Sequence, residues 1–134
     1  MGVARVVIAV RDIDTAAKRY SELLGISFPH SVIRDDYGVR VKVSWDGGIE
    51  LISPIDNNSM LAKFIEKRGE GLFGVVFTVS DIEEARARAD KKGFRVTGDV
   101  DSGLPEGFTV FKEITLHPKD TYGIPTLLLQ SERG

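Results

Sequence analysis

The side chains most often used in nucleophilic and metal chemistry are scarce in this 134-residue chain, which has no cysteine and two histidines. The absence of cysteine excludes disulfides, thiolate metal ligands and cysteine nucleophiles, and it fits a reducing compartment. The two histidines are His30, expected in a loop after the first helix, and His117, expected to cap a strand end as a structural polar residue. Lys112 and Glu113 are neighbours on a predicted strand, so only one of them can face the interior, and solvent exposure is the default for both.

Composition and charge exclude several classes of protein. The net charge is −2, and no block of Lys and Arg is dense enough for nucleic acid or an anionic membrane surface. The sequence has neither a membrane-spanning apolar stretch nor a signal-peptide pattern. We therefore expect a soluble, cytoplasmic protein without nucleic-acid or membrane partners, and 134 residues can form one core without a structural metal.

An internal repeat organises the chain. Arg5 to Tyr20 and Gly74 to Ala89 have seven identical residues in sixteen positions. The pairs are Val6/Val75, Val7/Val76, Val10/Val79, Asp12/Asp81, Ile13/Ile82, Ala16/Ala85 and Arg19/Arg88. Such self-similarity indicates two copies of one structural unit.

The first copy predicts a βαβββ unit. An apolar strand, Arg5 to Val10, precedes a helix that Asp12 or Asp14 can cap and Gly25 can end. The predicted apolar stripe of this helix is Ile13, Ala16, Ala17, Tyr20, Leu23 and Leu24. After the short segment Ile26-Ser27-Phe28, the turn Arg34 to Gly38 leads into the alternating strand Val39 to Trp45, and the turn signal Asp46-Gly47-Gly48 leads into the strand Ile49 to Ser53.

The second copy predicts the same order of elements. Ser80 and Glu83 match a capping box, and Gly93 can end the helix. A loop (Asp101 to Gly107), a long strand (Phe108 to Leu116), a last strand (Ile124 to Gln130) and a frayed tail (Ser131 to Gly134) follow. In the linker, Ser59 is expected to cap a helix whose apolar side is Met60, Leu61, Phe64 and Ile65.

The predicted fold is therefore α+β, a single domain of two βαβββ modules (about 4–54 and 73–130) joined by a helical linker (55–72). Each module needs cover on the sheet face away from its helix. Two modules can curl into a cupped, partly open mixed β-barrel with helices outside, which leaves a cavity for a ligand. The cup can form within one chain or by exchange in a homodimer, which we expect as the assembly.

The chain resembles the vicinal oxygen chelate superfamily, and within it the methylmalonyl-CoA epimerases and other glyoxalase-like proteins. The resemblance rests on the paired openings IAVRDID and FTVSDIE, on IELISPIDNNS, on FIEKRGEGL and on LHPKDTYG, over residues 5–130. It implies a cup that holds one divalent metal with four side chains, two from each module.

Only one of the four implied ligand positions holds a metal-binding side chain. The resemblance places them at Arg5, Glu50, Gly74 and Leu127. Arginine is permanently cationic, glycine has no side chain, and leucine has no donor atom. We therefore expect no metal and no other cofactor, and we expect these four positions to line a ligand site instead.

The same resemblance suggests Arg5 as a cation in place of the metal. Arg5 and Glu50 are predicted to lie side by side, either as an ion pair that fills an obsolete site or as an anchor for a ligand carboxylate, thioester or enolate oxygen. The implied base positions favour Asp36 as a catalytic candidate, although an Asp before a Tyr-Gly turn also has a purely structural explanation.

Three functions remain open from the sequence. The first is a metal-free module that binds a small organic carboxylate or thioester. The second is a metal-independent isomerase or lyase that acts next to a carbonyl with Asp36 or Glu50 as base, or a methylmalonyl-CoA epimerase-like enzyme if the ligand assignment is wrong. The third is a structural or regulatory dimer without a small-molecule function.

Overall fold

A computed structural model describes residues 2–100 and 103–134. The first two residues of the loop expected at Asp101 to Gly107 therefore lie outside the described residues. The elements in chain order are β1 (Gly2–Ala9), α1 (Ile13–Leu24), β2 (His30–Arg34), β3 (Val39–Ser44), β4 (Ile49–Pro54), α2 (Met60–Arg68), β5 (Gly71–Thr78), α3 (Ile82–Lys91), β6 (Val96–Val100), β7 (Phe108–Leu116), a 3₁₀ turn (Pro118–Thr121) and β8 (Thr126–Arg133). Within the described residues, no helix has the length and apolarity needed to cross a membrane.

The α+β class and the paired βαβββ order are confirmed. The chain divides into two compact units, which we call the first module (residues 5–73) and the second module (residues 74–134 with 2–4). Each module contains a four-stranded mixed sheet in which the first and last strands are parallel neighbours.

The first-module sheet has the order β2-β3-β4-β1. Strand β1 pairs with β4 in parallel, with Val7 opposite Glu50, and the other pairs are antiparallel. Helix α1 covers one face, where Val10, Ile13, Ala17, Ile49 and Leu51 form the core. Since side chains alternate along a strand, Glu50 points to the face away from α1.

The second-module sheet repeats this plan as β5-β8-β7-β6. Strand β5 pairs with β8 in parallel, with Val76 opposite Leu127. Helix α3 buries Ile82, Ala85 and Ala89. The side chain of Gln130 accepts a hydrogen bond from the Ile82 backbone N–H at 2.8 Å, so Gln130 lies on the α3 face and Leu127 on the opposite one.

The helix caps agree with the repeat rather than with the predicted capping box. Asp12 caps α1, and its repeat partner Asp81 caps α3 by accepting from Glu83 N and Glu84 N at 3.0 and 3.1 Å. Ser80 was wrongly predicted as the cap, because the helix begins at Ile82 and Ser80 lies one residue too early. Ser59 caps α2 as expected, through Ala62 N.

The apolar stripes are shorter than their helices. Leu23 and Leu24 in the last turn of α1 are 75% and 51% exposed, because the packing of this helix on the sheet ends at Tyr20. In α2, Met60 is also exposed, and Leu61 and Ile65 carry the packing. The predictions for these three exposed residues were wrong.

Two strand ends also differ from the predictions. His30 is the first residue of β2 and not a loop residue, since it pairs with Val43. The tail is not frayed, because β8 continues to Arg133, which pairs with Phe108 and lies over its ring at 4.6 Å. The Gly134 N–H then donates to Gly107 O at 2.9 Å.

Candidate ligand-binding site

A buried ion pair joins β1 and β4 in the first module. The Arg5 Nε–H donates to Glu50 Oε1 at 2.7 Å, and the two side chains are only 7% and 15% exposed. The parallel register explains the contact, because it brings the middle of β1 beside the start of β4. The structure therefore brings Arg5 and Glu50 together as the sequence predicts.

Two aromatic residues extend this pair across the same sheet face. The Arg5 guanidinium lies 5.4 Å from the centroid of the Trp45 ring, at the end of β3. The Trp45 ring in turn lies 5.2 Å from the His30 ring, tilted by 45°. We call Arg5, Glu50, Trp45 and His30 the Arg5 cluster.

Strand pairing accounts for the place of His30 in the Arg5 cluster. His30 lies opposite Val43, and Val43 lies opposite Glu50, so all three side chains share one face. The sequence analysis missed His30 because it placed this residue in a loop after the first helix and not in a strand. The available signal was the apolar pair Val32-Ile33 ahead of the Asp35-Asp36-Tyr37-Gly38 turn, which completes a hairpin with Val39 to Ser44.

The surroundings of His30 lower its pKa below the ordinary value. Burial is the largest cause, and the nearby Arg5 charge acts in the same direction, while the Glu50 carboxylate opposes both. The lowered pKa favours the neutral imidazole of His30, and a neutral imidazole can accept a proton.

Gly74 and Leu127 lie in the second module. Leu127 pairs with Val76 at the register that joins Glu50 to Val7, so it occupies the position equivalent to Glu50. A Cβ atom at Gly74 would lie 2.7 Å from the backbone oxygen of Pro125, which leaves no room for a side chain there. The two modules thus have the same backbone plan and different polar content.

Asp36 lies in the turn between β2 and β3, away from the Arg5 cluster. It is exposed and accepts two hydrogen bonds from Arg34, at 3.1 and 2.9 Å. These bonds from Arg34 lower the pKa of Asp36. Because β2 runs four residue steps from His30 to Arg34, the turn is about 13 Å from the His30 end.

Glu113, Lys112 and His117, the remaining candidate residues, differ in their exposure and contacts. Glu113 is 4% exposed and pairs with Leu129, which places it on the sheet face of Leu127, so its expected exposure was wrong. Lys112 is exposed as expected, opposite Gln130. His117 is a structural cap as predicted, since its Nδ1 accepts from Lys119 N at 3.1 Å.

The residues at the implied metal positions do not fit a divalent ion. The Glu50 carboxylate accepts the hydrogen bond from Arg5, and a guanidinium next to it repels a second cation. Gly74 and Leu127 offer no side-chain donor atom. Over residues 2–100 and 103–134, no three His, Asp or Glu side chains form a cluster that could hold a metal.

Sequence comparison identifies the family of this fold. Residues 4–111 match the profile of the Glyoxalase/Bleomycin resistance protein/Dioxygenase superfamily. The chain belongs to this superfamily. The resemblance inferred from the sequence motifs is thereby confirmed.

Methylmalonyl-CoA epimerases are prominent among the similar superfamily members. An ethylmalonyl-CoA/methylmalonyl-CoA epimerase of Cereibacter sphaeroides is 36% identical over 122 residues, or 88% of this chain and 89% of the relative. The methylmalonyl-CoA epimerase of Mycobacterium tuberculosis has 32% identity and a TM-score of 0.78, covering 98% and 88% of the two chains. A variant of the Streptomyces coelicolor enzyme, in complex with 2-nitronate-propionyl-CoA, has 27% identity, a TM-score of 0.77 and coverage of 98% and 97%.

Proposed function

We propose that this protein binds a small organic carboxylate or acyl thioester at the Arg5 cluster, without a divalent metal. The observation that carries the proposal is the buried Arg5–Glu50 pair at two positions that the superfamily resemblance assigns to metal binding. A fixed guanidinium supplies positive charge there through a side chain of the protein itself.

The chemistry of arginine suits this role. Its guanidinium stays charged at any accessible pH, and its planar fork matches the oxygens of a carboxylate. Glu50 and the Trp45 ring hold Arg5 in one orientation, so little side-chain entropy is lost when a ligand binds. Burial lowers the local dielectric constant and strengthens its attraction for a ligand anion or a polarised carbonyl oxygen.

The relatives support a thioester as the ligand class. All three relatives compared above are methylmalonyl-CoA epimerases, one of them also named for ethylmalonyl-CoA, and one was solved with 2-nitronate-propionyl-CoA. We therefore take propionyl-CoA, methylmalonyl-CoA and methylmalonate as the first ligands to test. The homodimer expected from the sequence stays a prediction.

Calorimetric titration of protein treated with EDTA tests the proposal. We expect saturable binding without added metal, and a change in emission from Trp45, the only tryptophan of the chain. Arg5→Met should weaken binding by about tenfold or more, because a charge-assisted contact is lost. Arg19→Met, an exposed arginine on α1, serves as the matched control and should bind normally.

Two results would refute this function. One is a stoichiometric divalent ion in the purified protein together with loss of binding on its removal. The other is unchanged affinity in an Arg5→Met variant whose circular dichroism spectrum is that of the folded protein.

A second candidate, a metal-independent isomerase, is favoured by the neutral His30 in the Arg5 cluster. An imidazole nitrogen would take the proton from the carbon next to the thioester carbonyl. As that C–H bond breaks, its electron pair forms the enolate double bond, and the carbonyl π pair moves to the oxygen, which Arg5 stabilises. His30 then returns the proton to carbon.

Hydrogen exchange separates the two candidates. In D₂O, the isomerase should introduce deuterium next to the carbonyl of propionyl-CoA, at a rate that falls about a hundredfold or more in His30→Gln. His117→Gln, at the other histidine, should exchange normally. Binding without exchange in the unmodified protein would favour the simple binding module, and the absence of binding would refute both.

A further inference from the structure

A cleft of about 740 Å³ opens on the α1 side of the first-module sheet. The start of α1, the strand β2 and parts of β3 and β4 form its walls. None of the four residues of the Arg5 cluster lines it, and alternation places Glu50 on the opposite sheet face. The cleft is therefore separate from the site described above.

Arg40 and Ser53 lie directly opposite each other on β3 and β4, where both line this cleft. Ser53 is only 2% exposed, and within the described part of the chain its hydroxyl makes no hydrogen bond. The hydroxyl is therefore available to donate a hydrogen bond to a ligand oxygen in the cleft. Arg40 is exposed, and within the same residues it makes no ion pair.

Two further cations line the cleft, and both already have acidic partners. The Lys42 Nζ atom lies 3.0 Å from Asp14 Oδ1, and Arg11 Nη1 lies 3.8 Å from Glu70 Oε1. The Arg11–Glu70 pair is loose and solvent-exposed, which makes it weak. The Asp14 carboxylate is also largely exposed, so its pair with Lys42 is weak and Lys42 can turn to a stronger anion. Arg40 has no such acidic partner to leave in the part of the chain that the structure describes.

The edge strand adds an apolar wall. Ile33 pairs with Arg40, so it shares the sheet face of Arg40 and Ser53, and it lines the cleft with 55% of its surface exposed. Beside a cation and a hydroxyl, such a wall suits a ligand that joins an anionic group to an organic body. The planar fork of arginine together with a hydroxyl donor is well matched to a phosphoryl group.

We propose that this cleft binds the phosphoryl group of a small organic molecule through the Arg40 guanidinium and the Ser53 hydroxyl. The organic part packs on Ile33, and Lys42 joins the site by leaving Asp14. The site is independent of ligand binding at Arg5.

Titrations followed by ¹H–¹⁵N NMR at low ionic strength test this site with inorganic phosphate, AMP and coenzyme A. We expect the largest amide shifts around Arg40 and Ser53. AMP should bind at least several-fold more tightly than inorganic phosphate, because only AMP contacts the apolar wall. If coenzyme A binds more tightly than AMP, the ligand is the phosphate part of a thioester cofactor. If the two bind with equal affinity, the ligand is a free organic phosphate.

Substitutions in the cleft should change the affinity for AMP in opposite directions. Arg40→Met should weaken AMP binding by about tenfold or more, and Ser53→Ala should weaken it several-fold while leaving the fold intact. Asp14→Asn should tighten it several-fold, because Lys42 loses its competing partner. Arg19→Met on α1 and Arg5→Met should change nothing.

The proposal is overturned if Arg40→Met binds AMP as the unmodified protein does, or if Arg19→Met weakens binding to the same extent. The second result would mean that phosphate only screens the surface charge. Amide shifts spread evenly over exposed lysines and arginines would overturn it as well. Since Arg40 is exposed, its variant should fold normally, which unfolding curves can verify.

Discussion

The two modules hold different residues at one and the same strand register. In the first, Val7 pairs with Glu50, and the carboxylate holds a buried guanidinium from β1. In the second, Val76 pairs with Leu127, and the position equivalent to Arg5 is Gly74. One module thus carries a charged pair where the other carries none.

This difference teaches that the fold does not need polar residues at these positions. The parallel pairing of first and last strands, the helix cap and the core on the helix face recur in both modules. The Arg5–Glu50 pair therefore adds to a scaffold that forms without it in the second module. Because the second module folds without such a pair, the Arg5–Glu50 pair is the place to test for the proposed ligand binding.

The largest expected effect comes from making the first module resemble the second at Glu50. Glu50→Leu removes the carboxylate that faces the buried guanidinium of Arg5, and we expect a loss of about 3 kcal/mol in the free energy of unfolding. Urea denaturation at pH 7 measures it.

The double variant Arg5→Met/Glu50→Leu is the control for this loss. An apolar pair of similar volume should recover most of the stability, because no buried charge remains. A single variant within about 0.5 kcal/mol of the unmodified protein would mean that the two side chains do not interact energetically.

The next effect concerns the other side of the comparison, at Gly74. Gly74→Ala brings a Cβ atom against the backbone oxygen of Pro125, and we expect a cost of about 2 kcal/mol from the forced shift. Thermal unfolding followed by circular dichroism would detect it. Gly98→Ala in the same module is the matched control, since its Cβ would meet nothing closer than 3.9 Å. Equal stability of both variants would contradict the crowding.

A smaller effect tests whether the modules share their helix caps. Asp12→Ala and Asp81→Ala should each lower the midpoint of thermal unfolding by a few degrees, because each removes a carboxylate that accepts backbone N–H groups of a first turn. Ser80→Ala should leave the midpoint unchanged. If Ser80→Ala lowers the midpoint more than Asp81→Ala does, Ser80 is the cap of α3 and the assignment of Asp81 is wrong.

The smallest expected effect is a pH dependence of stability that arises from an ion pair in the second module. The hydrogen bonds from the Arg95 side chain and backbone lower the pKa of Asp120 to about 2. Because this value lies below the ordinary 3.8, the stabilisation is complete above pH 3.8 and is lost as the pH falls towards 2.

Asp120→Asn should therefore lower the unfolding midpoint at pH 7, and its difference from the unmodified protein should shrink between pH 4 and pH 2. Asp90→Asn on the exposed side of α3 is the control. A difference that stays constant down to pH 2 would exclude the Arg95–Asp120 pair as its source.

Local signals sufficed to predict the scaffold. The repeat predicted the opening strand and helix of each unit, and the turn and strand signals after it completed the two βαβββ units. Alternation along Val39 to Trp45 predicted the correct buried face at Val41 and Val43. Helix ends were less certain, because Ser80 and Asp81 are both good capping residues and only the start of the helix at Ile82 decides between them.

The candidate site was predicted only in part, because it depends on pairing between distant segments. Arg5 and Glu50 came from the resemblance, whereas His30 needs the β2–β3 register and the Arg40–Ser53 juxtaposition needs the β3–β4 register. Glu113 was missed because alternation cannot say which of two neighbouring charges is buried. No feature of the sequence gives a register of this kind directly.

The crowding at Gly74 constrains the order in which this chain could change. A histidine at residue 74 has no space while the Pro125 oxygen lies 2.7 Å from the site of its Cβ. The segment before β8 would have to move first, and only then could substitutions at Leu127 and Arg5 supply further donor atoms. Laboratory evolution of a side chain at residue 74 should therefore first select changes around Pro125.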